Sequence, residues 1–327
     1  LTRAVIHSIA HAVPDKILSN HDLELMVDTS DDWITQRTGI KERRICSENE
    51  TTFTLSAQAG KKALAQNNFD PKDLDMILVG SVTGDYMFPS VSCQVQNAIG
   101  AVNAGAMDIG AACAGFIYSI CVASSMIETG QIRNALVIGA DALTKFVDWT
   151  DRSTCILFGD GAAAVLLEAE ENSNRGVLKT VLMSDGGGAK HIDVQVGGNR
   201  YPAGSPQAEG KRTKIFMAGA EVYRFAVLAM GDACCRVLEM AGMTVDDIDL
   251  FVPHQANLRI IESAATRLQL PPGKVFINVD RYGNTSAASI PIALSEAVET
   301  GRLLPGMTVL TVGFGAGLVW GANIIRW

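Results

Sequence analysis

The segment FDPKDLDMILVG at 69–80 recurs in altered form as MTVDDIDLFVPH at 243–254, an offset of 243 − 69 = 174. A second pair, ETGQIRNALVIG at 128–139 and ETGRLLPGMTVLTVG at 299–313, starts at an offset of 171 and ends at 313 − 139 = 174. Between these anchors CAGFIYSICVASSMIETG (113–130) lies without a gap over NTSAASIPIALSEAVETG (284–301), and 284 − 113 = 171. Ordered matches at nearly one offset indicate a duplicated unit. Such a chain folds into two similar halves about a pseudo-twofold axis, with two helix starts near the centre and a cleft lined from both sides. The expected halves are residues 1–174 and 175–327, and the gapless match makes Cys113 and Asn284 equivalent.

Each half reads as α/β. Apolar runs at 76–82, 135–140, 162–168, 249–253 and 308–313 alternate with helical stretches expected near 53–67, 114–130, 220–241, 256–269 and 286–300. The apolar runs lack polar alternation, which suits central strands covered on both faces. SPQAEGKRTK (205–214) reads as an exposed loop, and SDGGGAKH (184–191) as turns, since it lacks the spacing of a phosphate-binding loop.

Composition narrows the function. With 48% hydrophobic and 19% charged residues, the chain is expected to be globular, and no apolar run reaches the length of a membrane span. No basic start followed by a long apolar stretch is visible, so a cytoplasmic protein is expected. Seven cysteines without CxxC spacing argue against a disulfide framework or structural zinc, and five scattered histidines give no metal site. A formal net charge of −8 disfavours non-specific nucleic-acid binding, so an anionic ligand needs a local basic patch.

Cys113 stands where a strand-like stretch meets the first turn of a helix in DIGAACAGF. Unpaired N–H groups and the positive end of the helix dipole there stabilise a thiolate and bind an oxyanion. Taken alone, the residue reads equally as a small buried hydrophobe. Two further segments carry chemistry, PHQAN around His254 and RYGNTSAAS around Asn284. Singly, His254 reads as a satisfied core histidine and Asn284 as a turn or cap residue.

Together these segments resemble the β-ketoacyl-acyl-carrier-protein synthase III family of the thiolase superfamily. DDWITQRTGIKERR, WTDRSTCILFGDGAAAV and VGFGAGLVWGANIIRW extend the resemblance over nearly the whole chain. It implies a five-layer αβαβα fold built from two halves, and an active site of Cys113, His254 and Asn284. Cys113 would attack an acyl-CoA thioester and carry the acyl group. Its own N–H and that of Ala316 would form one oxyanion hole. His254, neutral and donating from Nε2, and Asn284 would hold the malonyl thioester oxygen during loss of carbon dioxide. No cofactor or metal is implied.

The resemblance also assigns binding residues. Trp33 and Arg152 would sandwich the adenine of CoA and Arg37 would contact a phosphate, whereas nearby Lys41 and Arg43 are not carried over and read as a solvated basic face. Asn257, Gly219 and Phe314 would line the path of the substrate. The family commonly has Asn after that glycine, where this chain has Ala220, so one pantetheine contact is missing. Lys214, Arg224, Arg259 and Arg267 would offer a positive face to the acidic carrier protein. Phe88 would reach across a homodimer interface. Alternatives left standing are another condensing enzyme of the superfamily, a Cys-His-Asn hydrolase and an inactive carrier-protein-binding scaffold.

Overall fold

The structure, a computed structural model, describes residues 2–327, all but the first residue of the expected N-terminal half. The principal strands are β1 (Thr2–Ala12), β2 (Met76–Gly80), β3 (Gly105–Ile109), β4 (Asn134–Ala142), β5 (Asp160–Glu171), β6 (Gly176–Ser184), β7 (Leu250–Pro253), β8 (Thr308–Gly315) and β9 (Val319–Arg326). The principal helices are α1 (Asp31–Thr38), α2 (Thr52–Gln66), α3 (Val91–Ile99), α4 (Gly115–Glu128), α5 (Gly219–Ala241), α6 (Leu258–Arg267) and α7 (Ser289–Glu299). The five expected apolar runs form β2, β4, β5, β7 and β8. The expected helices form α2 and α4 to α7, each within a few residues of its anticipated ends.

Two sheets share one plan. The first runs β1-β5-β4-β2-β3, and the second runs β6-β9-β8-β7. In both, the first three strands alternate antiparallel and the next pair is parallel. Even the place of β3, parallel to β2, has a remnant in the second half, where Val275 bridges Phe251 of β7 in parallel.

The strands are buried because helices cover both faces. In β2, Ile77, Leu78 and Val79 have no exposed surface, each contributing about 1.5–3 kcal/mol over an exposed side chain. Helices α2 and α3 cover the outside of the first sheet, and α5 covers the outside of the second with α6 against it. Helices α4 and α7 lie between the sheets, which gives the five layers αβαβα. This explains why α4 is apolar on nearly every side, with Phe116, Ile117, Ile120, Ala123 and Ile127 all buried. Among the described residues no helix is long and apolar enough to cross a membrane.

The axis fixes a different register from the one the gapless match suggested. Ala112 precedes α4 with φ of +42° and Ser286 precedes α7 with φ of +53°, and 286 − 112 = 174. Both helix starts therefore follow one left-handed turn, so the mate of Cys113 is Ala287, and Asn284 lies three residues earlier in its loop. Packing agrees. A Cβ on Gly139 of β4 would meet the Ala287 carbonyl oxygen at 2.2 Å, and one on its mate Gly313 of β8 would meet the Cys113 carbonyl oxygen at 3.6 Å.

Candidate active site

A cavity of about 980 Å³ opens at the carboxyl ends of the parallel strands. Its lining takes Gly110 from beyond β3, Leu143 from beyond β4, His254 from beyond β7, and Phe314, Gly315 and Ala316 from the end of β8. Cys113, Asn284 and Ser286 complete the floor. Topology alone thus gathers groups far apart in sequence.

Cys113 sits in the 3-10 turn Ala112–Ala114 that leads into α4, and no side chain caps that helix start. A Cβ on Gly315 would lie 2.6 Å from the Cys113 amide nitrogen, so only glycine leaves the space above that N–H open. Ala316, next in the chain, also lines the cavity. The thiol differs from expectation. Burial outweighs the helix start and pushes its pKa up to about 12, opposed by the Ser286 hydroxyl and aggravated by the Asp141 carboxylate. The resting group is a neutral thiol.

His254 is 1% exposed, and its Nδ1 lies 2.5 Å from Ser289 Oγ, at the first residue of α7. Burial lowers its pKa to about 3, so the imidazole is neutral. Ser289 Oγ accepts the Gln255 N–H at 3.3 Å, which leaves its own hydrogen for Nδ1, and in that tautomer the ring proton sits on Nε2. Phe314 packs against the ring edge-to-face, with centroids 5.5 Å apart. Asn284, 8% exposed, is pinned by its backbone between Leu157 and Gly159. Its Oδ1 accepts the Ser286 N–H at 2.9 Å, which turns its NH₂ away as a free donor. A papain-like arrangement needs that amide oxygen on the imidazole, and here both groups are committed elsewhere.

Trp33 lies half-buried on α1, with Arg37 at 4.5 Å and Arg152 at 5.2 Å from its ring centroid. Arg37 and Arg152 thus share one aromatic platform, and Arg152 Nη1 also donates to the Asp28 carbonyl at 2.8 Å. Asn257 caps α6, accepting the Arg259 N–H at 2.9 Å and donating to the Arg37 carbonyl at 3.1 Å. Gly219 opens α5 at the cavity wall, where an added methyl group would meet nothing within 4 Å, leaving room for a ligand.

The expected basic face is partly committed. Arg224 pairs with Glu221 at 3.0 Å, Lys214 donates to the Lys145 carbonyl at 3.0 Å, and Arg259 stacks 5.7 Å from the Tyr223 ring. Arg267 is exposed but lies across Gly231 of α5. Phe88 is 84% exposed, between Met87 and a cis proline bond, so it belongs to no core. Arg43 departs from expectation. Lys41 is solvent-exposed, yet Arg43 is wholly buried, donating to Leu18 and Ile156 carbonyls and to Asn20 Oδ1. Burial lowers its pKa only to about 10, so it stays charged, and its Cβ packs beside Gly159 and Gly283, next to Asn284.

Two contributors were not read from sequence. Asp141, at the end of β4, is wholly buried and accepts Ser81 Oγ, Thr83 Oγ1 and the Val82 and Thr83 N–H groups on Oδ1. Its signal was a lone carboxylate closing an apolar run. Ser289, which orients His254, sits among small residues that carry no periodic signal.

Comparison with known proteins decides the family. A β-ketoacyl-[acyl-carrier-protein] synthase III of Caldanaerobacter subterraneus subsp. tengcongensis is 52% identical over 315 residues, covering 96% of this chain and 95% of that relative. The chain belongs to the β-ketoacyl-[acyl-carrier-protein] synthase III family. The family model described as 3-oxoacyl-[acyl-carrier-protein (ACP)] synthase III matches residues 107–186, and its C-terminal counterpart matches 238–327. The solved 3-oxoacyl-[acyl-carrier-protein] synthase III of Aquifex aeolicus VF5 superposes with a TM-score of 0.91 at 43% identity, over 99% of this chain and 100% of that one. The synthase III of Thermus thermophilus gives 0.93 at 43% identity, over 99% of both chains. The thiolase-like fold expected from the resemblance is therefore the fold of this synthase III chain.

Proposed function

We propose that this chain is a 3-oxoacyl-[acyl-carrier-protein] synthase III, which condenses a short acyl-CoA, acetyl-CoA foremost, with malonyl-acyl carrier protein. The products are 3-oxoacyl carrier protein, carbon dioxide and CoA, a reaction that starts fatty acid biosynthesis. One observation carries the reading: with Nδ1 of His254 held by Ser289 and Oδ1 of Asn284 held by Ser286, two N–H donors remain for the cavity that contains Cys113.

In this reading Cys113 attacks the acyl thioester, and its N–H and that of Ala316 stabilise the first oxyanion. CoA leaves and malonyl carrier protein enters. His254 Nε2–H and Asn284 Nδ2–H then bind the malonyl thioester oxygen as decarboxylation builds an enolate, which attacks the acyl-Cys carbonyl. A pKa near 3 supports donation by a neutral imidazole, since that ring takes up no second proton and stays uncharged at any working pH. The thioester supplies the activated acyl group, so the chemistry requires no metal or cofactor.

Trp33, Arg37 and Arg152 hold the adenine and phosphates, with Gly219, Asn257 and Phe314 along the pantetheine path. Arg259, Arg267, Lys214 and Arg224 face the carrier protein. The exposed run Tyr86, Met87 and Phe88 supports a homodimer in which Phe88 lines the partner's acyl pocket. We assign residues 1–174 and 175–327 to the two halves and the cytoplasm as the compartment.

The test is mass spectrometry after mixing with acyl-CoAs and then malonyl carrier protein. An acyl mass on Cys113, lost on adding malonyl carrier protein with release of carbon dioxide, is expected, and Cys113→Ser should gain no mass. Acylation at another residue, or hydrolysis without a new carbon-carbon bond, would contradict the assignment.

A further inference from the structure

Ser286 carries a hydroxyl that the fold does not use. Its mate Ala112 takes the same left-handed turn with no hydroxyl, so the turn does not demand one. Ser286 is 1% exposed, lines the cavity, and its Oγ has no hydrogen-bond partner among the described residues. A buried hydroxyl left without a partner is destabilising, so one is expected in some state of the molecule.

Two groups neighbour it in the site: Cys113 lines the same cavity, and Asp141 Oδ2 accepts the N–H of Ala287, next in the chain. The Cys113 thiol and the Asp141 carboxyl are both pushed up in pKa by burial, and the Ser286 hydroxyl draws each of them down. The carboxylate oxygens of Asp141 are unequally loaded. Oδ1 takes four donors, whereas Oδ2 takes the N–H of Ala287, the residue after Ser286, at 3.3 Å, a long contact that leaves accepting capacity on that oxygen. Among the described residues Asp141 is the charged group that acts on the thiol, and His254 across the cavity is neutral.

We propose that Ser286 is the proton relay that joins Cys113 to Asp141, an inference that rests on the acyl-transfer reading above. The Cys113 S–H bond breaks as its proton passes to Ser286 Oγ, and the Ser286 O–H bond breaks as that proton passes to Asp141 Oδ2. A thiolate, an intact serine hydroxyl and a neutral carboxyl result. The buried site holds one negative charge throughout, avoiding two adjacent anions. The thiolate adds to the thioester carbon, the intermediate collapses with cleavage of the bond to the CoA sulfur, and the proton on Asp141 returns through Ser286 to that sulfur.

Site-resolved alkylation of Cys113 by iodoacetamide tests this without any CoA substrate, with peptide mass spectrometry separating it from exposed Cys93 and Cys235. Because the proton moves within the pair, the native rate should be nearly flat from about pH 6 to about pH 9. Ser286→Ala should lower that plateau about tenfold, with no loss of thermal stability. Asp141→Asn should replace the plateau by a rise of about tenfold per pH unit, as for an isolated thiol. A native rate that climbs with pH, or a plateau unchanged in Ser286→Ala, would overturn the relay. A flat native profile in a protein that never acylates from CoA would keep the relay and remove the substrate reading.

Discussion

At the start of α7 the Ala287 N–H is taken by the Asp141 carboxylate at 3.3 Å, whereas at the start of α4 the equivalent Cys113 N–H faces Gly315. Asp141 and Gly315 are themselves mates, since 315 − 141 = 174. The two turns share a backbone and differ in what fills one slot. In the second half a carboxylate caps the helix start, satisfying a donor that would otherwise be orphaned. In the first half no side chain fills the slot, and the same donor is the one proposed above for a substrate oxyanion. The two halves share one turn, and a single side chain, present in one and absent from the other, sets them apart.

Filling the empty slot should break this difference most severely. In Gly315→Ala the new Cβ would stand 2.6 Å from the Cys113 nitrogen and 3.0 Å from the Ala112 Cβ. Acyl-enzyme formation, followed by rapid mixing and mass spectrometry, should fall by about 100-fold to 1000-fold, the usual cost of losing an oxyanion donor. An unchanged acylation rate would mean that the open N–H is not used.

The next contrast lies one strand over. His254 occupies the position that Gly80 holds in the first half, 254 − 80 = 174, so only the second half buries an imidazole there. Its folded pKa is lowered from 6.5 to about 3, so between these values the unfolded chain binds a proton that the folded chain does not. Stability from this residue is fully present above pH 6.5 and is lost as pH falls toward 3. The advantage of the native protein over His254→Gln in urea unfolding should shrink by up to about 1.4 kcal/mol per pH unit in that window. A constant difference would show that burial does not hold the ring neutral.

Much of this architecture was legible in the residues. Apolar runs without alternation marked strands covered on both faces, and the recurring offset marked the repeated plan. The register at the axis was not legible, because α7, which starts at Ser289, the mate of Gly115, is three residues shorter than α4. Three residues are close to one helical turn, so the apolar face barely rotates and the pattern conceals the gap. Cys113, His254 and Asn284 were visible through their local segments. Asp141 and Ser289 were not, since each acts through contacts made only on folding, and Arg43 looked like a surface charge because its acceptors are mostly backbone carbonyls far along the chain. The thiol's pKa was misjudged for a related reason. A helix start is a local feature, whereas desolvation depends on everything packed around it.

The most direct test of the division of labour is mass spectrometry and carbon dioxide release on the double variant His254→Ala, Asn284→Ala, supplied with acetyl-CoA and then malonyl carrier protein. A stable acetyl group on Cys113 is expected, with condensation reduced by about 1000-fold or more. Failure to form the acetyl-enzyme, or condensation at the native rate, would contradict that division.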